Sequence, residues 1–368
     1  MTRPLRILHI YPKHDYFTGA AIQLHELAAG LRARGHEVVL STQPSAAWEQ
    51  KCREVAIPYY PLPMHSQVDL RSVLGVITIL RRHRVQVVHA HKGKARTLAL
   101  LAGLFARVPI LILNRGVSFP LDPLNRLGYT TRRVTAVIVV CDALKQELVA
   151  QGVPAKKIHV IYSATDTERF HPSVNGAAVR RDLGFTPDDF VVAQIGVRSW
   201  KGNGDVIQAM GEVVARAPHA RLLVVGARDA VPLMETAAAV GLRHRLSVLG
   251  YREDIPEILA ASDCCVDASY AGLGLTGTLR EALAMGKPVI ATAIEGNPEL
   301  VVDGETGILI PPRNPRALAE AIRRLIDDPS AARRMGCEGQ RRVAERFSLS
   351  AKLDATEALY RQLVSRRC

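Results

Sequence analysis

Short apolar runs alternate with longer segments of helical spacing along nearly the whole chain, and the alternation comes in two series. In the first, residues 6–11 (RILHIY) form an apolar run, and residues 12–18 follow as a polar loop. Gly19 opens a segment whose apolar Ile22, Leu24, Leu27, Ala28 and Leu31 roughly follow helical spacing, and Gly35 closes it. Residues 36–41 are the next strand. Strand, helix, strand predicts a right-handed crossover within a parallel sheet. The series continues with a helix over 70–84 and strands over 85–90, 109–113, 135–141 and 156–161. The segment DALKQELVAQGV predicts a helix before the last of these strands. Residues 170–185, with His171-Pro172 and Asn175-Gly176, change character and read as a linker. A second series then opens at 190–196, with strands over 221–226, 246–249, 263–268, 289–292 and 307–311. Helices over 314–327, 331–345 and 350–366 end the chain.

A length of 368 residues makes two domains the default expectation. At 48% hydrophobic and 23% charged, the composition is that of an ordinary globular protein. The longest apolar stretch, 98–113, is interrupted by Arg107 and Pro109, so no run spans a bilayer. The apolar run near the N-terminus is a few residues long and reads as the first strand, not as a secretion signal. Cys52, Cys141, Cys264, Cys265, Cys337 and Cys368 have no CxxC spacing, and Cys264 and Cys265 point to opposite faces of one strand. They read as reduced thiols of a cytoplasmic protein, with no metal site.

Charge changes the picture. The net charge is +13, and residues 1–170 hold 23 Lys and Arg against 11 Asp and Glu, or +12. A one-sided basic field suggests an anionic partner. Aromatic residues are only 5% and do not interleave with the basic ones, which argues against nucleic acid. An anionic membrane surface or a phosphorylated lipid fits better. The alternative is a merely basic surface.

The candidate chemistry centres on residues 263–300, DCCVDASYAGLGLTGTLREALAMGKPVIATAIEGNPEL. A buried strand leads into a turn where Gly272, Gly274 and Gly277 allow close approach of backbone to ligand. A helix begins near Thr276, with Thr276 or Thr278 as its cap. Free N–H groups at such a helix start attract phosphate. Glu281 lies about one turn inside, within reach of a sugar hydroxyl beside that phosphate, although an acid early in a helix is favourable without any ligand. The helix ends at Gly286.

This segment resembles the donor-nucleotide signature of the family-4 retaining glycosyltransferases of the GT-B fold (glycosyltransferase group 1). Gly272, Gly274, Glu281, Ala282, Gly286, Lys287, Pro288, Val289, Pro298, Glu299 and Leu300 match it. One position departs: the family usually places a first Glu eight residues before the second, and Leu273 stands there. The opening helix is similar to the family's first motif, with Gly19 in the second glycine position and Thr18 in place of the first. Val87, Val88, His89, Ala90 and His91 match the family's Val-Val-His-x-His, and Lys92, Lys94 and Arg96 follow. Asn114-Arg115-Gly116 stands where many members carry a His. Arg198 and Lys201 are assigned to the family's Arg and Lys-Gly before a helix, and Gly250 to Asp254 to its Gly-x-x-x-Asp turn.

The resemblance implies an α/β chain of two doubly wound Rossmann-like domains facing a cleft. An acceptor-binding domain would cover 1–170 and a nucleotide-sugar-binding domain 171–368, with the last helix, about 350–366, crossing back onto the first. It implies a retaining hexosyltransferase moving sugar from a nucleotide-diphosphate sugar to a saccharide or lipid-linked saccharide in cell-surface glycan synthesis, without a cofactor or a required metal. Arg198, Lys201 and the backbone of Gly274, Leu275, Thr276, Gly277 and Thr278 would hold the diphosphate, with Gly19 opposite and Glu281 on the ribose. Arg115 and His91 join Arg198 and Lys201 as catalytic candidates. His91, Lys92 and Lys94 lie on the acceptor side. A cytoplasmic location, peripheral on the inner face of the membrane, goes with this reading. The rivals are a GT-B enzyme of other chemistry, an epimerase or phosphorylase, and a non-catalytic membrane or scaffold protein.

Overall fold

The computed structural model describes residues 3–118, 120–272 and 274–366; Leu273 and Cys368, both singled out above, lie outside them. The chain divides into two compact units, Met1–Ser163 with Leu349–Cys368, and Ala164–Ser348.

In the first unit the order is β1 (Arg6–Tyr11), α1 (Gly19–Ala33), β2 (Glu37–Thr42), α2 (Ala46–Glu54), β3 (Tyr59–Pro61), α3 (Leu70–Arg82), β4 (Val87–His91), α4 (Lys92–Phe105), β5 (Ile110–Arg115), α5 (Pro123–Thr130), β6 (Ala136–Val139), α6 (Asp142–Ala150) and β7 (Ile158–Val160). The strands pair in parallel in the order β3-β2-β1-β4-β5-β6-β7. Helices cover both faces, so strands such as β4 are buried along their whole length and read as continuous apolar runs. Thr18, Asp69 and Asp122 cap α1, α3 and α5 by accepting from backbone N–H groups. Ile7, Tyr11 and Val87 share one core with Leu24, Leu27, Leu31 and Trp48.

The second unit runs α7 (Ala177–Asp182), β8 (Phe190–Ile195), α8 (Asn203–Val214), β9 (Ala220–Val225), α9 (Val231–Ala239), β10 (Leu246–Leu249), α10 (Ile255–Ala260), β11 (Cys264–Asp267), α11 (Gly277–Ala284), β12 (Val289–Thr292), α12 (Asn297–Leu300), β13 (Gly307–Ile310), α13 (Pro315–Asp327) and α14 (Pro329–Arg346). Its sheet order is β10-β9-β8-β11-β12-β13, again parallel. The final helix, α15 (Leu349–Ser365), returns to the first unit, where Leu353, Leu359, Tyr360 and Leu363 complete its core.

Residues 170–185 are not a free linker. They belong to the second unit and contain α7, whose Arg180 donates to the Asp263 carboxylate at 2.8 Å and to the Ala261 carbonyl at 2.9 Å. Among the described residues Cys52, Cys141, Cys264, Cys265 and Cys337 form no disulfide, and the first four are buried. Among the described residues no helix is long and apolar enough to cross a membrane.

Candidate functional site

In each sheet the strand order turns back on itself once. In the second it does so between β8 and β11, and in the first between β1 and β4. The crevice outside the carboxyl ends of two such strands is where open α/β sheets bind ligands. Most of the residues picked out by pattern collect at these two places, and Arg115 and Lys94 do not.

At the β8–β11 switch, the loop after β8 and the turn after β11 are tied together. Lys201 is ion-paired with Asp267, the last residue of β11, and both side chains are largely buried. The Tyr270 backbone N–H donates to the Trp200 carbonyl at 3.0 Å, and its hydroxyl donates to the Ser199 carbonyl. Gly202 sits at φ +64 where an added Cβ would run into the Ala268 carbonyl, so only glycine fits there. Gln194 donates to the Lys201 carbonyl at 2.9 Å. Arg198 is exposed beside them and donates to the carbonyl of Val197 at 2.7 Å.

The glycine-rich turn is held from the other side. Thr276 takes the N-cap position of α11, but its hydroxyl does not cap. It donates to the Asn297 carboxamide oxygen at 2.8 Å, and Asn297 in turn donates to the Thr292 carbonyl at 3.0 Å. The Thr278 hydroxyl is buried without a partner. Neither threonine therefore caps, and among the described residues no side chain bonds to the leading N–H groups of α11. Gly272 (φ +74) and buried Gly274 and Leu275 lead into it. Gly277 opens the helix with the Glu281 carboxylate oxygen 3.8 Å from where its Cβ would be. Glu281 is half-buried, and its carboxylate forms no hydrogen bond or ion pair among the described residues. Burial pushes its carboxyl up, while Arg280, Arg169 and Lys201 pull the other way.

Arg280, Asp267 and Asn297 were not singled out from sequence. Arg280 is 3% exposed and donates to the carbonyls of Leu275 and Ala164, each at 3.1 Å, fixing the turn to the start of the unit. A charged residue on the apolar side of a short helix was the available signal.

At the β1–β4 switch, His91 ends β4 and precedes α4. Its Nε2 lies 3.1 Å from Nδ1 of His9 on β1. Lys92 follows at φ +75, a left-handed conformation that a side chain rarely adopts, with its ammonium 5.3 Å over the Tyr11 ring. Lys92 is exposed as a residue, but loss of water around its ammonium first, and the neighbouring Lys13 second, push that ammonium down to about 8. Lys94 points elsewhere, donating to the carbonyls of Met64 and His65 at 2.8 and 3.1 Å. Gly19 is exposed at the start of α1 with nothing against it. Arg115, at the end of β5, lies 3.6 Å from Glu147 of α6, so its charge is already opposed within the first unit.

Two parallel sheets, each with its candidate residues at a switch point, define a two-domain nucleotide-using transferase of the GT-B kind. Comparison with known proteins agrees. The description "Glycosyl transferases group 1" matches residues 189–328, and "Glycosyltransferase Family 4" matches residues 17–169. The chain belongs to the group 1, family-4 glycosyltransferases. It is 27% identical over 318 residues to the alpha-D-kanosaminyltransferase of Streptomyces kanamyceticus, covering 79% of this chain and 82% of that one. It is 24% identical to the N-acetyl-alpha-D-glucosaminyl L-malate synthase of Bacillus anthracis, covering 93% of each. Among solved structures it superposes on a glycosyltransferase from Rickettsia africae with a TM-score of 0.90 at 20% identity, over 99% of both chains. Anabaena HepE in complex with UDP-glucose gives a TM-score of 0.84 at 25% identity, over 96% of this chain and 99% of that one. The protein is a glycosyltransferase.

Proposed function

We propose that the second unit binds a nucleotide-diphosphate sugar at the β8–β11 switch and that the sugar is transferred, with retention at the anomeric carbon, to a saccharide or lipid-linked saccharide held by the first unit. One observation carries the reading: Lys201, the uncapped start of α11 and an unpartnered Glu281 converge on one strand edge, although they lie 80 residues apart in sequence. The chemistry follows from charge. A departing diphosphate gathers negative charge, which the Lys201 ammonium, the α11 N–H groups and the exposed Arg198 would stabilise. The Glu281 carboxylate is the acceptor that two vicinal ribose hydroxyls require. Fixed cations and a helix start do what a metal does on a diphosphate, so we expect no metal requirement. Relatives whose names specify alpha-linked products, and one named for UDP-Gal, support donor class and stereochemistry.

The test is a thermal-shift panel of UDP, GDP and ADP with their sugars, followed by NMR of the anomeric proton of the product. A diphosphate should raise Tm, and Glu281→Ala should remove the rise. An inverted product, or turnover abolished by EDTA and restored by a divalent metal, overturns the retaining or the metal-free part. No shift with any diphosphate removes the β8–β11 switch as the donor site.

A peripheral membrane site belongs to the same proposal. No Asp or Glu occurs between Asp69 and Asp122, while nine Lys and Arg do. Leu104 and Phe105, 57% and 67% exposed at the end of α4, lie where Arg81 donates to the Phe105 carbonyl and Arg133 to the Gly103 carbonyl. An exposed apolar pair ringed by arginines suits an anionic bilayer surface. Flotation with anionic vesicles, lost in Leu104→Ser/Phe105→Ser, tests it. Equal flotation of the variant sinks it.

A further inference from the structure

The β1–β4 switch holds more than His91. His9, His89 and His91 stack on one face of the sheet, with ring centroids 4.3 to 5.4 Å apart, and α15 lies over them. His9 is 0%, His89 1% and His91 6% exposed. His89 Nδ1 is 2.6 Å from the hydroxyl of Tyr360 on α15, and His9 Nδ1 is 3.1 Å from His91 Nε2. Nε2 of His9 and Nε2 of His89 are buried without partners. One ring nitrogen from each histidine lies within 4.8 Å of the others.

The direction of these hydrogen bonds can be worked out from the buried end. The Tyr360 side chain is fully buried, and burial pushes its phenol far up, so it keeps its proton. Its only partner among the described residues is His89 Nδ1. Were His89 to donate to the phenol oxygen, the phenol hydrogen would be sealed in the core with no acceptor, which is costly. The phenol therefore donates, and His89 carries its proton on Nε2. Among the described residues neither that N–H nor His9 Nε2, sealed in the same cluster, has a partner within hydrogen-bond distance, so we match the one buried donor to the one buried acceptor through a single water. His9 then carries its proton on Nδ1 and donates to His91 Nε2. His91 is left with its proton on Nδ1, the remaining ring nitrogen of the most exposed member of the three.

We propose that Tyr360, through His89 and His9, sets the tautomer of His91, so that the end of β4 presents an N–H donor and never a base. Tyr360, His89 and His9 are positioning residues. His91 would donate to a substrate oxygen at the strand edge, which rests on the reading of that edge as the acceptor side. The same direction of bonding argues against a metal ion among the three rings. The His89 nitrogen facing inward already bears hydrogen, and Lys352 adds positive charge nearby.

The tautomers can be read without substrate, by long-range 1H–15N correlation on protein labelled at histidine. The wild type should show His89 protonated at Nε2, and His9 and His91 at Nδ1. In Tyr360→Phe the His89 and His91 signals should move toward the other tautomer, and kcat should fall about tenfold, the worth of one hydrogen bond at the site. Wild-type His91 protonated at Nε2 overturns the proposal even if Tyr360→Phe does not fold. So does unchanged tautomer distribution in a folded Tyr360→Phe. Equimolar zinc that raises Tm in the wild type but not in His9→Gln makes the cluster a metal site and overturns it as well. Correct tautomers with an unaffected kcat leave the relay standing but place His91 outside the reaction, which tells against the acceptor-side reading instead.

Discussion

Lys201 and Asp267 form an ion pair across the one point where the second sheet reverses its strand order, with 16% and 2% of their side chains exposed. The cation assigned to the donor diphosphate is thus also the counter-charge of a buried carboxylate. Lys201→Ala removes both. It leaves Asp267 buried and uncompensated, a loss of roughly 3 kcal/mol of stability, together with most turnover. The double variant Lys201→Met/Asp267→Asn removes the stranded charge, so urea unfolding should recover most of the stability while activity stays low. If activity returns with stability, Lys201 is a structural cation only.

Arg280 gives a second prediction. Its guanidinium donates to the carbonyls on either side of it, Leu275 in the turn and Ala164 at the start of the unit. Arg280→Leu keeps bulk but strands those carbonyls. We expect a loss of about 2–3 kcal/mol and, in protein that is still folded at low temperature, weaker diphosphate binding through a loosened turn. Isothermal titration separates the effects. Unchanged affinity in the folded variant shows that the turn holds its shape without the arginine.

These two positions also mark what pattern reading reaches. Gly272, Gly274, Thr276, Gly277 and Glu281 were legible because they stand close together in one contiguous strand–turn–helix. The strands were legible because full burial makes them continuous apolar runs. Asp267, Arg280 and Asn297 were not, because their partners are set by tertiary packing: Lys201 is 66 positions from Asp267, and Ala164 is 116 from Arg280. The capping role expected of Thr276 failed for the same reason, since buried Asn297 takes its hydroxyl. His9 drew no notice because only the pairing of β1 with β4 brings it to His89. Short helices such as α2, α5, α7 and α10 have too few turns to build a readable apolar face.

Lys92 predicts how the basic strand edge responds to pH. Its ammonium is pushed down to about 8 from an ordinary value near 10.4. A lowered base is neutral in the folded protein above about pH 8, so binding an anion there requires proton uptake. Affinity for a phosphorylated acceptor should therefore weaken as pH rises past 8, by up to about tenfold per unit, and stay level below 8. Lys92→Arg, charged throughout, should bind with no such decline. A wild-type profile flat from pH 7 to 9.5 takes Lys92 out of the acceptor site.

The buried imidazoles predict acid sensitivity of the first unit. Burial pushes His9 down to about 3, and burial first and neighbouring rings second push His89 and His91 well below the usual histidine value; Lys352 adds to all three and Lys92 to His91. The folded protein keeps them neutral where the unfolded chain takes up protons, below about pH 6.5. With folded values depressed, the unfolded state binds more protons between roughly 3 and 6.5, so stability falls as pH falls through that window. Three such groups lower it by up to about 4 kcal/mol per pH unit once the unfolded chain is fully protonated. His25, His36, His83 and His159, each lowered chiefly by burial, add smaller amounts in the same direction. Comparing one variant with the wild type isolates the cluster. His9→Gln removes one titrating ring, and urea unfolding at pH 7.5, 6.5 and 5.5 should show its slope reduced by up to about 1.4 kcal/mol per unit. A slope identical to wild type means that His9 is already protonated in the fold, and the chain of neutral rings fails with it.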